Sequence, residues 1–229
     1  MPPRLIIHPT LDPCPCLPAL VWAEGIAPPL PSLELPSELE ALVGRARAEG
    51  EDLWPPSRKS GVRALLRHGK YRASGRAKPA SEFLLKAALD GRFPPINPAV
   101  DANNHVSLSS GLPGTIFDMA RSGETLILRR GMPGERYVFN QAGQEIELED
   151  LLLLARPTPE APDLGEPCGN PVKDSMGTKI HEGTRRVVAV LYAPRDEPQE
   201  SLRSWASEFA RLLASWCRAA DAGFRIVEP

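Results

Sequence analysis

Two polar constellations in this 229-residue chain carry residue types that could do chemistry. The first is NPAVDANNHVSL, residues 97–108. On a helix, Asn97, Asp101, Asn104 and Leu108 share one face, at steps close to the helical repeat. Carboxamides and a carboxylate on one face are costly to bury without partners. They either tie neighbouring loops to the helix or form a wall offering donors and acceptors to a small ligand. The second is CGNPVKDSMGTK, residues 168–179, with Asn170, Lys173, Asp174, Ser175, Thr178 and Lys179. Cationic, hydroxyl and amide groups converge there as a binding site requires, although an ordinary exposed loop has a similar composition.

A third feature is charge. The chain as a whole is near neutral, at −2, so no global basic field draws it onto nucleic acid. Residues 58–92, however, hold ten basic side chains against Glu82 and Asp90. Arg63, Arg67, Lys70, Arg72, Arg76 and Lys78 are the candidates for phosphate contact, because affinity for a polyanion comes mainly from neutralised phosphates. A solvated helix face followed by a basic loop would give the same pattern.

The usual catalytic templates are missing. No glycine-rich phosphate cradle of the dinucleotide or P-loop type occurs, no GxSxG elbow, and no HExxH. His8, His68, His105 and His181 are scattered. Cys14-Pro15-Cys16 lacks the spacing of a zinc knuckle or a thioredoxin-like site. No metal and no cofactor are expected.

Elements that could position these groups follow from period and punctuation. Residues 3–9 and 18–27 read as strands, and proline-rich 28–36 as an extended connector. Ser37 stands three before Glu40, the capping-box spacing, and Leu39, Leu42, Val43 and Ala46 predict a helix over 38–48. Helices are predicted over 60–68 and over 80–90, the latter with Phe83, Leu84, Ala87 and Ala88 inward. Asn97-Pro98 has the cap-plus-proline signature of a helix start, and Gly111 closes that helix. Strand patterns follow in ETLILRR, ERYVFN, QEIELED and LLLLARP, then a proline-rich loop over 157–171 and a central strand in RRVVAVLYAP. A long amphipathic helix over about 198–222 and a short final strand complete the chain. With 26 prolines a long helical bundle is not expected, and helices grouped before strands indicate α+β.

The stretch INPAVDANNHVSLSSGLPGTIFD, residues 96–118, resembles the segment that opens the editing (B3/B4) domain of the bacterial phenylalanyl-tRNA synthetase β subunit. The matching positions are Ile96-Asn97, Val100-Asp101, Asn104, Val106, Leu108, Gly111, Pro113 and Phe117-Asp118. The turn Gly183-Thr184-Arg185-Arg186 into the central strand resembles the domain's second half, and KYRASGRAKPASEFLLKAALDGRFPPINPAVD is similar to free-standing members. The resemblance implies a three-layer α+β domain with a mixed sheet and a pocket. Residues 1–229 are expected to form one domain: a core of about 45–195, a strand and proline-rich extension over 1–44, and a C-terminal packing helix. Where the family has a pocket histidine, an arginine and a glutamate, this chain has Thr115, Pro94 and Val190, which implies a ligand other than tyrosine.

Three functions stay open on this reading: hydrolysis in trans of a mischarged aminoacyl-tRNA ester, non-catalytic tRNA binding, and a pocket for a free amino acid or nucleoside. For the first, Asn104, Thr115 and Lys179 are the candidate catalytic groups. Asn97, Asp101, Pro113, Gly114, Asn170, Lys173 and Asp174 are the candidate substrate contacts. The implied partner is tRNA or aminoacyl-tRNA. With no apolar run of spanning length, a cytoplasmic location and no membrane association are expected.

Overall fold

The fold is taken from a computed structural model that describes residues 2–229. The chain opens with β1 (Arg4–Ile7) and β2 (Cys16–Glu24), crosses the proline connector, and forms α1 (Ser37–Glu49), α2 (Pro56–Leu66), α3 (Ala80–Leu89) and α4 (Pro98–Ser110). Then come β3 (Gly114–Asp118), the single turn α5 (Met119–Ser122) and β4 (Thr125–Arg130). A hairpin of β5 (Arg136–Val138) and β6 (Glu145–Glu147) precedes β7 (Leu152–Thr158) and β8 (Ala161–Gly169). Last are β9 (Arg186–Pro194), α6 (Gln199–Trp216) and β10 (Asp221–Ile226).

Two four-stranded sheets stack. One runs β1-β4-β7-β8, with β1 parallel to β4 and the other pairs antiparallel; the other runs β10-β2-β9-β3, antiparallel throughout. Alternation along β9 explains the layers. Val188, Val190 and Tyr192 point into the core between the sheets, whereas Val187, Ala189 and Leu191 face α4 and α6. Both faces of β9 are buried, which is why RVVAVLYAP reads as a continuous apolar run. A third cluster joins α1, α3 and the outer side of α4 around Trp54, whose indole N–H donates to Leu108 O at 2.7 Å. The result is a three-layer α+β body, helices on sheet on sheet.

Local signals account for the helix that matters most. Asn97 caps α4, its Oδ1 accepting from Val100 N at 3.0 Å, with Pro98 in the first turn. Gly111 ends it in the left-handed region (φ +75), where a Cβ would also collide with Trp54 and Arg58. Elsewhere the expectations need correction. The Ser37–Glu40 capping box does not form: Pro36 occupies the cap and makes no side-chain bond, so Ser37 is already helical. The second helix begins at Pro56, four residues before the predicted start, because Pro56 itself serves as its first residue. In α3 the inward positions are Ser81, Leu85 and Ala88, and Phe83 lies exposed. The expected loop 157–171 is largely strand: β8 carries Pro162 and Pro167 because it is an edge strand, where a missing N–H can face outward.

Candidate functional site

β3 is the edge strand of the inner sheet, and its register on β9 runs from Gly114↔Leu191 to Asp118↔Val187. Among the described residues no strand pairs with its outer side. Instead the segment after β8 returns alongside it. Asn170 organises this return: its Oδ1 accepts from Val172 N at 2.8 Å and Lys173 N at 2.9 Å, and its amide donates to the Tyr137 hydroxyl. Tyr137 in turn donates to Lys173 O at 2.6 Å. The turn therefore presents Asp174 to the strand edge. The Asp174 carboxyl accepts from the Thr115 hydroxyl, from Asn170 N at 3.4 Å, and from the outward N–H of Ile116.

Between α4, β3 and this return lies a cleft of about 350 Å³. Val100, Ile116, Val172 and Ile180 supply apolar walls. Asn97, Asn103, Asn104, Asn170, Lys173, Asp174 and Lys179 supply the polar ones. Burial raises the Asp174 carboxyl to about 7, although its hydrogen bonds and Lys179 pull the other way. A carboxyl of this kind exchanges its proton near neutral pH. Lys173 lies 3.8 Å above the Phe139 ring, and its ammonium titrates below its ordinary range, mainly from burial and secondly from nearby Arg76. Lys179 donates to Phe139 O at 2.9 Å, which leaves ammonium protons for a ligand.

Of the ten residues singled out for catalysis or substrate contact, seven line this cleft: Asn97, Asn104, Gly114, Asn170, Lys173, Asp174 and Lys179. The other three do not. Thr115 is fully buried beneath Asp174 and reaches the cleft only through it. Pro113 is buried just before β3, its carbonyl accepting from Tyr192 N at 3.0 Å. Asp101 is turned away from the hollow. Its Oδ1 accepts from Ile96 N at 2.9 Å and its Oδ2 from Ser32 Oγ at 2.8 Å, so it ties the proline connector to the start of α4. Asp118 has a similar duty. It takes hydrogen bonds from Ala120 N (2.8 Å) and Thr184 Oγ1 (2.9 Å) and contacts His181 Nε2 at 2.8 Å, which clamps the 181–184 turn onto the end of β3.

Asn103 belongs to the polar stretch 97–108 singled out in the sequence, together with Ser107, but not to the expected substrate contacts. It is 7% exposed, its amide donates weakly to Gly114 O at 3.5 Å, and its Oδ1 has no partner. Ser107, one turn on, is fully buried with an equally unpartnered hydroxyl. This i, i+4 pair of polar residues was the available signal. Gly114 is what lets the strand approach: a Cβ there would lie 2.5 Å from Asn103 Oδ1 and 3.1 Å from Ser107 Oγ.

The basic segment is partly neutralised. Arg63 forms a bidentate pair with Glu82, both contacts 2.6 Å, and Lys70 pairs with Glu149 at 2.8 Å. Arg72 donates to Gly69 O and Tyr71 O. Among the described residues no carboxylate lies within ion-pair distance of Arg67, Arg72, Arg76 or Lys78. Among the described residues no helix is long and apolar enough to cross a membrane.

Comparison with known proteins agrees with this architecture. The phenylalanine–tRNA ligase beta subunit of Nocardia farcinica is 30% identical over 95 residues, which are 41% of this chain and 11% of that protein. The crystal structure of an N-terminal fragment of the phenylalanyl-tRNA synthetase beta-subunit from Pyrococcus horikoshii superposes over 97% of this chain and 50% of its own, with a TM-score of 0.50 and 10% identity. The second likeness is one of fold. The chain thus spans about a ninth of the first relative and half of the second. The family model of the B3/4 domain matches residues 70–197, more than half of the chain and every residue lining the cleft, and the chain belongs to the B3/4 domain family.

Proposed function

We propose that this chain binds aminoacyl-tRNA and hydrolyses the ester that joins a mismatched amino acid to the terminal ribose, acting in trans. The observation that supports it is the convergence, beside an open strand edge, of one carboxyl poised near neutral pH with two lysines and four asparagines of the cleft wall. The relatives named for phenylalanine–tRNA ligase make tRNA the natural partner.

An aminoacyl ester is already activated, so an oriented water and a stabilised oxyanion suffice for its hydrolysis. In the ionised state Asp174 takes the proton from that water as its oxygen bonds the acyl carbon. The carbonyl oxygen, negative at that stage, receives hydrogen bonds from Lys179 and the Asn104 amide. Collapse releases the ribose hydroxyl, to which Asp174 returns the proton. Thr115 is a positioning residue here: its hydroxyl fixes the carboxyl. No side-chain nucleophile is needed, and the four cysteines are all buried away from the role.

The test is deacylation of a panel of mischarged tRNAs by the full chain and by Asp174→Asn. Hydrolysis of at least one ester by the wild type, lost in the variant, is the expected result. Failure on every ester would remove the enzymatic reading; filter binding of tRNA at two salt concentrations would then show whether a binding module remains.

A further inference from the structure

A second, larger cleft of about 820 Å³ adjoins the first. Lys173 belongs to the walls of both. One side of the larger cleft is the basic loop, with Lys70, Tyr71, Arg72 and Arg76; the other is the β5–β6 hairpin, with Glu145, Ile146 and Glu147. Phe139 is half-buried between them, under the Lys173 ammonium.

These walls are held in place. Tyr137 of β5 is bonded to Lys173 O and Asn170, Lys179 holds the Phe139 carbonyl, and Tyr71 donates to Ala77 O at 2.8 Å. The charge arrangement selects among ligands. A duplex backbone would bring its phosphates against Glu145 and Glu147 as well as against the arginines. A single unpaired nucleotide avoids that conflict. Its phosphate meets Arg72 and Arg76, its base lies against an aromatic ring, and its amino and hydroxyl groups donate to the hairpin carboxylates.

We propose that this cleft seats the unpaired 3′-terminal nucleotide of the acceptor strand, with Phe139 as its stacking platform and Lys173 marking the passage of the ester-linked amino acid into the smaller cleft. The inference rests on the aminoacyl-tRNA reading and extends it, because an ester held in the smaller cleft needs room for its nucleotide next door.

The experiment uses the full chain and two 5′-fluorescein acceptor-stem minihelices, one ending in CCA and one lacking the terminal adenosine, with binding followed by anisotropy. The wild type is expected to lose roughly tenfold in affinity when the adenosine is removed. Phe139→Ala should bind both RNAs alike. Phe139→Leu, which keeps apolar bulk at the position, should do the same with a melting temperature close to the wild type, separating stacking from folding. Equal affinity of the wild type for both RNAs overturns the nucleotide site but leaves the deacylase reading standing. Retained discrimination in a folded Phe139→Leu also overturns it. No binding of either RNA overturns both readings together.

Discussion

The cleft beside β3 and the cationic stretch 63–78 are built from equally suggestive side chains, and the fold holds them in different ways. In the cleft, each polar group is aimed by something rigid: Asn104 by its place on a capped helix, Asp174 by an asparagine-organised turn, Lys179 by a backbone carbonyl across from it. In the stretch, Arg63 and Lys70 are engaged by carboxylates from α3 and from the strand region before β7, while Arg67 and Arg76 lie exposed. Convergence comes from backbone geometry that local sequence encodes. The availability of a cation depends on which acid the tertiary fold brings to it.

The sharpest separation of the two regions is Asp174→Asn. Amide for carboxylate removes the proton acceptor and keeps the shape, so deacylation should fall by about 10²–10⁴-fold. Binding of uncharged tRNA should be unaffected, because no cation of the 63–78 stretch contacts this residue. Single-turnover rates beside filter binding read both. A parallel loss of binding and rate would mean that the cleft carries affinity, and the division between the regions would be wrong.

A second consequence of the same carboxyl concerns stability. Its folded-state value of about 7 lies above the ordinary carboxyl range. Between about pH 4 and pH 7 the folded chain therefore retains a proton that the unfolded chain releases. The contribution of Asp174 to stability is greatest at the acid end of that window, falls as pH rises through it, and is flat above. Asp174→Asn cannot ionise. Urea unfolding at several pH values should show the variant gaining on the wild type as pH climbs toward 7, with no further change beyond. A constant difference would mean that the carboxyl is better solvated than its surroundings imply.

How much of this could be read from residues alone divides along similar lines. The start and stop of α4 were written in Asn97-Pro98 and Gly111, because caps depend on a few neighbouring atoms. Apolar β9 was equally plain. Phe83 and Leu85 exchanged roles because a short helix with three adjoining apolar residues, Phe83, Leu84 and Leu85, does not say which stripe meets α1 and α4. Pro162 and Pro167 argued for a loop, and only the order of strands shows that β8 has a free side to spare. In the site, Asp101 was placed on the right helix face by its spacing. That face turns at its N-terminal end toward the connector, and Ser32, 69 residues away, claims the carboxylate. Asn103 sits in the same polar stretch but outside the expected contacts for the converse reason: it stands off that face, and its value appears only once β3 lies against it.

Gly114→Ala tests that close approach. The added methyl would meet Asn103 Oδ1, Ser107 Oγ and Leu191 at once. The strand must retreat from α4, at a cost of about 1–3 kcal/mol, which lowers the melting temperature by about 2–4 °C for each kcal/mol in a chain of this size. Combining it with Asn103→Ala opens space, so the double variant should be more stable than the sum of the single losses indicates. Strict additivity would show that the strand and helix do not press on one another through this residue.

The smallest effect belongs to the cationic stretch, where Arg76 and Arg63 make opposite expectations. Arg76 is exposed and unpaired by any carboxylate among the described residues, so Arg76→Ala should leave stability unchanged, weaken tRNA binding a few-fold, and reduce the slope of log affinity against log salt by about one unit. Arg63 is occupied by Glu82, whose side chain is only 8% exposed. Arg63→Ala should therefore leave the salt slope as it is and cost on the order of 1 kcal/mol of stability, the price of stranding a largely buried carboxylate. If Arg63→Ala lowers the salt slope as much as Arg76→Ala does, the pair with Glu82 opens in the complex, and charge along this stretch matters more than the partners the fold has given it.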